Sequence, residues 1–307
     1  MKKILFGISI LLSLNTYSHA ISSTDSDYYG SCFPKEKSVT QSFVIDNKTK
    51  EAFGYNLKRI SKESPSPGAV ISTYPLKKGD MKYIDRSGPY EQLGHQGLAL
   101  QYRQGVRYFW SSVGNSYGSD SGSYVARYRL DNGEIKEFTT FKLYQDNTQK
   151  NITPTVSQKQ NYLIAKMSNK TSHEIRIFDL EQFEGVGNLS VKEKYAFQIP
   201  RDKVRDKGMA FQSMAGDSKF VYVLMGSSKV GQKNRIDVYS LSGNYVRAVE
   251  VHQGEEDAAA IGSGTHYEPE WLTWLNQDNR AQLMLSIAAG DSGDRRCIIY
   301  GTGIFAD

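Results

Sequence analysis

The chain has 307 residues, of which 38 are Lys or Arg and 33 are Asp or Glu, so its formal net charge is +5. The basic residues are scattered, and the clustered basic stripe that a nucleic-acid-binding surface needs is missing from the sequence. Nucleic acid is therefore not an expected partner, and the length suits either two ordinary domains or one large all-β domain.

The N-terminal residues have the features of a secretory signal peptide. Lys2 and Lys3 form a basic start, Ile4 to Leu14 is apolar, and Ser18 to Ala20 place small residues at a cleavage site. The apolar stretch is shorter than the roughly 20 residues that span a bilayer, and no later segment is a better candidate for a transmembrane segment. We expect residues 1–20 to be removed and residues 21–307 to form a single domain that is secreted or periplasmic.

The two cysteines of the chain are Cys32, near its start, and Cys297, near its end. In an oxidising compartment an even pair predicts one disulfide bond. Two free thiols are the alternative.

The clearest strand pattern lies between residues 97 and 143. Two hairpins are predicted there, with strands at Gly97–Tyr102, Val106–Val113, Tyr124–Leu130 and Glu134–Leu143. The turn sequence Asp131-Asn132-Gly133 joins the last two strands and is typical of a tight hairpin. These residues predict a unit of four short antiparallel strands.

The same order of strands recurs along the chain. Aligned by eye, the first strands pass through Gln41, Gln96, Thr155, Gln212 and Glu270. An aromatic residue marks the third strands, at Tyr74, Tyr128, Phe178, Tyr239 and Tyr300. Both landmarks recur every 50–60 residues or so, and both count five units.

Five such units predict an all-β fold, a five-bladed β-propeller of four-stranded antiparallel blades, which avoids exposed sheet edges by radial repetition. No long segment has an apolar period of 3.6 residues, so a sheet with crossover helices is disfavoured. Two β-sandwiches would explain the strands equally well, but they would not explain the regular spacing. A circular fold also brings its ends together, as a Cys32–Cys297 disulfide requires.

Several short motifs resemble a known family. Gly94 to Leu100, followed by Tyr108-Phe109-Trp110 and Tyr124 to Leu130, resembles the helveticin-J-like proteins of the class III bacteriocin type. His266 to Trp271 is a further match, although Trp271 stands where that family has Gly. The family shares a propeller with teichoic-acid biosynthesis protein C-like proteins and with phage receptor-binding proteins. The resemblance implies a five- to six-bladed propeller and a cell-surface ligand, and it brings no established catalytic residues.

Polar side chains are predicted to converge at one mouth of the propeller channel, where the N-terminal ends of the first strands meet. The set combines imidazoles, amides and carboxylates: His95, Gln96, Gln212, His266, Glu268 and Glu270. Such a cluster can form hydrogen bonds with a sugar. The alternative is that these groups satisfy one another and a few channel waters, as buried polar groups must.

A structural cation at this mouth is a weaker hypothesis, because a metal site needs three or four ligands at proper distances. His95 and His266 are far apart in the sequence, and only the fold could unite them. No other cofactor is implied.

Exposed aromatic rings would complete a sugar-binding surface, since a ring can stack on the apolar face of a sugar. Tyr117, in a loop rich in Gly and Ser, is predicted to be exposed. Trp271 and Trp274 are three residues apart on one predicted strand, so they are expected to face opposite ways, with one of them towards a surface. Tyr117 and Trp271 are the aromatic candidates for ligand binding.

No complete catalytic motif is present in the sequence. The chain lacks a Gly-x-Ser-x-Gly elbow, and Gln232 stands where a phosphate-binding loop requires lysine. Glu268 and Glu270 could still form the carboxylate pair of a hydrolase or lyase that acts on a carbohydrate or a lactone.

The sequence therefore favours a secreted, lectin-like and non-catalytic propeller that recognises a cell-surface glycan or receptor. Such a protein would serve as a toxin, a bacteriocin-like protein or an adhesion component. The alternatives are the hydrolase or lyase, and a structural propeller to which a partner protein docks.

Overall fold

The computed structural model describes residues 28–306 except for short gaps, which are 37, 61–66, 115–122, 145–149, 169–170, 186–190, 202–207, 229–233, 254–266, 292 and 294. The predicted signal peptide and the loop with Tyr117 lie outside the described residues. In the described part of the chain, no helix is long and apolar enough to cross a membrane.

The first strand is β1 (Tyr28–Phe33), and the strands that follow it form the first blade, blade I. From the inside outwards, blade I consists of β2 (Thr40–Asp46), β3 (Glu51–Lys58), β4 (Gly68–Pro75) and β6 (Asp85–Tyr90). The short strand β5 (Gly79–Lys82) leaves this sheet and pairs elsewhere.

Blades II, III and IV are four-stranded antiparallel sheets in simple chain order. Blade II consists of β7 (Leu93–Arg103), β8 (Val106–Val113), β9 (Tyr124–Asp131) and β10 (Glu134–Lys142). Blade III consists of β11 (Lys150–Val156), β12 (Tyr162–Ser168), β13 (Ser172–Asp179) and β14 (Tyr195–Pro200). Blade IV consists of β15 (Ala210–Gly216), β16 (Phe220–Gly226), β17 (Asn234–Ser240) and β18 (Tyr245–Val251).

Blade V joins the two ends of the chain. Its inner strands are β19 (Tyr267–Gln277), β20 (Arg280–Ala289) and β21 (Arg296–Ala306), and β1 pairs with β21 as the fourth antiparallel strand. The strand β5 adds a fifth, parallel strand to β1, which the repeat pattern did not predict. The predicted disulfide is present: Cys32 and Cys297 lie opposite each other in the β1–β21 ladder, with their Cα atoms 4.9 Å apart.

The inner strands β2, β7, β11, β15 and β19 contact one another in this cyclic order, and β19 returns to β2. They enclose the central channel, so the predicted five-bladed β-propeller is confirmed. We call the end of the channel at which the inner strands begin the N-terminal mouth, and the opposite end the C-terminal mouth.

The hydrophobic core divides into five clusters, each shared by two neighbouring blades. Side chains alternate along a strand, so adjacent residues enter different clusters. Phe109 of β8 packs between blades I and II, whereas Trp110 packs between blades II and III. Each blade is therefore covered on both faces by its two neighbours.

Candidate functional site

The inner strands are irregular close to the N-terminal mouth in all five blades. In blades I, IV and V a single residue of the inner strand has no partner on the second strand. These three bulge residues are Gln41, Gln212 and Glu270. A β-bulge redirects the side chain of the extra residue, so three long polar side chains leave the ladder at equivalent positions of three blades.

The alignment by eye is wrong in blade III. Thr155 pairs regularly with Ile164 of β12, and the irregularity lies between Lys150 and Thr153. Thr155 therefore lies deeper in the channel than Gln41, its supposed equivalent. A bulge shifts the register by one residue, and strand periodicity alone does not reveal where that shift occurs.

Gln212, Glu268 and Glu270 are brought together where blade IV meets blade V. The amide Nε2 of Gln212 donates a hydrogen bond of 3.2 Å to Oε1 of Glu268. Gln212 and Glu270 are buried, with 7% and 3% of their surfaces exposed, while Glu268 is half-buried. The first strands of two blades thus contribute to one polar cluster.

Burial raises the pKa of the Glu270 carboxyl well above its ordinary value of 4.5, and the charge of Glu268 raises it further, while Arg295 has the opposite effect. Such surroundings favour the protonated form of a carboxyl group, which can donate a hydrogen bond. The cluster therefore offers a carboxylate acceptor in Glu268, a carboxyl donor in Glu270 and an amide in Gln212.

His95 and Gln96 lie at the same mouth, on the irregular stretch of β7 between Leu93 and Leu98. The backbone of this stretch is held by its neighbours: the Tyr55 hydroxyl donates to the Gly94 carbonyl, and the Ser112 hydroxyl donates to that of Gln96. The His95 ring is exposed, yet the surrounding protein desolvates it and lowers its pKa. It is therefore more often a neutral donor and acceptor than a cation at neutral pH.

Gly97 explains why this stretch can approach its neighbours so closely. Its N–H donates a hydrogen bond of 3.0 Å to the Ser42 hydroxyl of blade I, and its φ is +95°. A Cβ atom at this position would lie 2.5 Å from Cδ of Pro154 in blade III. Only glycine allows this backbone conformation and this contact together.

The expectation that one of Trp271 and Trp274 faces a surface is wrong. Trp271 is 1% exposed and packs between blades V and I, and Trp274 is 7% exposed and packs between blades IV and V. The two rings do face opposite ways, but each side of β19 is covered by a neighbouring blade. Trp271 is therefore a core residue and is not available to stack on a ligand.

Two of the predicted ligand-binding residues, His266 and Tyr117, lie outside the described residues. His95 and Gln96 have no hydrogen bond with Gln212, Glu268 or Glu270 in the described part of the structure. They share the mouth with these three residues without forming one bonded cluster.

In the part of the chain that the structure describes, no three His, Cys, Asp or Glu side chains are grouped closely enough to hold a metal ion. The structure therefore adds no ligands to the predicted cation site. The pairing of His95 with His266 stays a sequence-based hypothesis, since His266 lies outside the described residues.

The interior of the channel is narrow. A cavity of about 60 Å³ is lined by residues of all five inner strands, among them Leu98, Thr155 and Thr273. This volume holds a few water molecules, whereas pockets for small ligands measure about 300–1,000 Å³. A sugar would have to bind at the mouth or on the face around it.

Two features of this face were not predicted from the sequence. Gln41 has the same bulge position as Gln212 and Glu270, and the repeat alignment contains the signal that identifies it. A groove of about 470 Å³ beside blade I is lined by Lys35, Lys58, Arg59 and Arg86 together with Glu36. These basic residues are dispersed in the sequence, so only the fold collects them.

Comparison with known proteins identifies the family. A sequence model of the phage five-bladed β-propeller receptor-binding platform domain matches residues 39–301. Among solved structures, the tail fibre of Staphylococcus aureus phage P68 is similar, with 18% sequence identity and a TM-score of 0.61 over 90% of this chain. The exo-β-1,3-galactanase 1,3Gal43A of Clostridium thermocellum is also similar, with 10% identity and a TM-score of 0.55 over 89% of this chain.

At these low identities, the two solved structures show a common fold and nothing more. This chain covers 52% of the tail fibre and 62% of the galactanase, so it spans about half to three fifths of their lengths. No curated protein has a significantly similar sequence.

Proposed function

Because this chain belongs to the family of phage five-bladed β-propeller receptor-binding platform domains, we propose that it binds a receptor on a cell surface and that the receptor is a glycan. The N-terminal mouth is the proposed binding surface. The observation that carries the proposal is the polar cluster of Gln212, Glu268 and Glu270, built by equivalent positions of two blades.

The chemistry of this cluster suits sugar hydroxyl groups, which both donate and accept hydrogen bonds. Glu268 accepts, a protonated Glu270 donates, and the Gln212 amide can do both. The neutral imidazole of His95 and the amide of Gln96 extend the same mixed chemistry to blade II. A strongly charged surface would instead favour an ionic partner.

The narrow channel supports a ligand that rests across the mouth. A cavity of about 60 Å³ does not admit a sugar ring, so a terminal sugar or a stretch of polymer would contact the rim. In this respect the proposed site resembles a platform more than a deep pocket.

The finer assignments rest on the sequence resemblance. A bacteriocin-like, toxic or adhesive role for a secreted protein is compatible with receptor binding, and the disulfide between Cys32 and Cys297 is compatible with an oxidising compartment. The tail fibre of phage P68 shares the fold, and a corresponding role for this chain is part of the proposal.

A hydrolase or lyase is the second candidate, and one observation favours it. Glu270 has a raised pKa and lies beside Glu268, a combination that a general acid and a neighbouring carboxylate also require. Both carboxylates belong to one strand, however, and the sequence contains no complete catalytic motif, which favours a binding role.

An array of glycans and cell-envelope polymers tests the proposal, probed with purified protein in the presence and absence of a chelator. We expect saturable binding to a defined sugar, unchanged by the chelator and without release of a shortened product. Glycan turnover that Glu270→Gln abolishes would favour the enzyme instead. Absence of binding to every glycan, together with capture of a protein receptor, would contradict the glycan proposal.

A further inference from the structure

The groove beside blade I concentrates positive charge. Its lining contains four basic side chains and one acidic one, a net charge of +3: Lys35, Lys58, Arg59, Arg86 and Glu36. The chain as a whole is nearly balanced, with 38 basic and 33 acidic residues. The positive charge of the groove is therefore a local feature, and it favours an anionic ligand.

The acidic residue of the lining is already paired. Nε of Arg86 donates a hydrogen bond of 2.5 Å to Oε1 of Glu36, and the Glu36 side chain is only 5% exposed. Nη2 of Arg86 is buried as well, whereas Nη1 is accessible and has no hydrogen bond with another described residue. The pair thus fixes the guanidinium at the groove and leaves its Nη1 to a ligand.

The other three cations surround this fixed guanidinium. Lys35, Lys58 and Arg59 are exposed, and their side chains have no hydrogen bond or ion pair with the rest of the described structure. A single surface cation is well solvated and needs no partner. Several around one groove of about 470 Å³ repel one another and raise the local concentration of anions.

The groove lies on the same face as the proposed binding surface. Lys58 ends β3, which is antiparallel to β2, so it lies at the end of blade I where β2 begins. Asn56 ties the segment before β2 to this end, because its Nδ2 donates to the carbonyls of Ser38 and Val39 at 3.1 and 3.0 Å. A polymer that rests across the N-terminal mouth can extend over blade I into the groove.

The lining distinguishes between anionic polymers. Among the described residues that form it, none is aromatic, so the bases of a single-stranded nucleic acid find no ring to stack on. Arginine binds planar carboxylates well, and Arg86 already binds that of Glu36. A sugar polymer that carries carboxylates combines this charge with the hydroxyl groups that suit the mouth.

We propose that the groove binds the carboxylates of an acidic polysaccharide, a polymer of uronic acids, while the polar cluster at the mouth binds its hydroxyl groups. Lys35, Lys58, Arg59 and Arg86 contact the carboxylates, and Glu36 positions Arg86. The proposal rests on the proposed function and narrows the receptor from glycans in general to acidic ones.

Calorimetric titration of the full chain at low salt tests the proposal, with oligogalacturonate and oligomannuronate as the acidic ligands. Methyl-esterified oligogalacturonate is the control ligand, because it has the same sugars without the charges. We expect saturable binding of at least one acidic oligomer, about tenfold or more tighter than binding of the ester. Added salt should weaken the binding, since it screens exposed charges.

Two charge-matched variants locate the site. Lys58→Gln combined with Arg59→Gln removes two exposed cations of the groove. It should weaken binding of the acidic oligomer about fivefold or more and leave the unfolding temperature unchanged. Lys50→Gln combined with Lys159→Gln removes the same charge from exposed turns at the C-terminal mouth and should bind like the wild type.

Equal binding of the acid and the ester would overturn the proposal, as would wild-type affinity after the loss of Lys58 and Arg59. Absence of binding to both acidic oligomers would also overturn it. So would tighter binding of a single-stranded oligonucleotide, which is a phosphodiester polymer. In each of these cases, binding of a neutral glycan on the array would leave the proposed function standing, so the two failures are distinguishable.

Discussion

The amide of Gln212 in blade IV donates a hydrogen bond of 3.2 Å to the carboxylate of Glu268 in blade V. The bond joins two blades at the N-terminal mouth and turns one face of the Gln212 amide towards an acceptor. The hydrogen bond also requires a neutral side chain at position 212. An amide donates to the Glu268 carboxylate, whereas a second carboxylate would repel it.

Gln212→Glu should therefore destabilise the protein at neutral pH by about 1–2 kcal/mol, because the lost hydrogen bond is replaced by repulsion between two carboxylates. The loss should shrink below about pH 4, where carboxyl groups are protonated. Urea unfolding at both pH values measures the difference, with Gln212→Ala as the control for the lost hydrogen bond alone. Equal stability of Gln212→Glu and wild type at pH 7 would show that the contact has no energetic role.

Glu270 should impose a pH dependence on folding. Its pKa in the folded state is raised above the ordinary value of 4.5, so the folded protein retains a proton that the unfolded chain releases. Stability should fall as the pH rises above 4.5, by at most about 1.4 kcal/mol per pH unit, until the folded-state pKa is reached.

Glu270→Gln removes this proton equilibrium. The variant should match the wild type below pH 4.5 and become the more stable protein as the pH rises towards 7. Denaturant midpoints of both proteins across this range provide the measurement. Parallel stability curves at all pH values would mean that Glu270 is ionised in the fold without penalty.

Gly97→Ala should be more destabilising than Gly105→Ala. Both glycines have a positive φ, +95° and +80°, but a Cβ on Gly97 would meet Pro154 at 2.5 Å, while a Cβ on Gly105 would meet nothing within 4 Å. The backbone cost of about 1–3 kcal/mol is common to both variants, and the steric clash adds about 1–3 kcal/mol to Gly97→Ala.

Urea unfolding of the two glycine variants separates the costs. If both lose the same stability, the close approach between blades II and III does not constrain the stretch that carries His95 and Gln96.

The Cys32–Cys297 disulfide should stabilise the ring closure. The bond links residues that are 265 positions apart, and chain entropy assigns such a long loop about 5 kcal/mol, less any strain. A double Cys32→Ser, Cys297→Ser variant should therefore unfold at clearly lower denaturant concentration, and only the wild type should respond to a reducing agent. Equal midpoints of the two proteins would mean that the β1–β21 ladder closes the ring unaided.

The sequence was sufficient to predict the blades because their hairpins are local. Asp131, Asn132 and Gly133 predict a tight turn, and Asn132 and Gly133 do adopt the positive φ values of +48° and +76° that such a turn requires. The disulfide was also predictable, since a ring fold brings Cys32 and Cys297 together.

Features that depend on distant pairing could not be predicted in the same way. The parallel strand β5 pairs with β1 about fifty positions earlier, and no local turn signals it. The burial of Trp271 follows from blade I covering blade V, which strand alternation does not reveal.

The most direct test of the central claim is a comparison of receptor affinity between the two mouths of the channel. Gln212→Ala changes the N-terminal mouth, and Gln277→Ala removes an exposed amide from the opposite end of the neighbouring inner strand. Calorimetric titration with the glycan found on the array should show at least tenfold weaker binding for Gln212→Ala, about 1.4 kcal/mol, and wild-type binding for Gln277→Ala. Weaker binding of Gln277→Ala alone would place the binding surface at the C-terminal mouth and contradict the account.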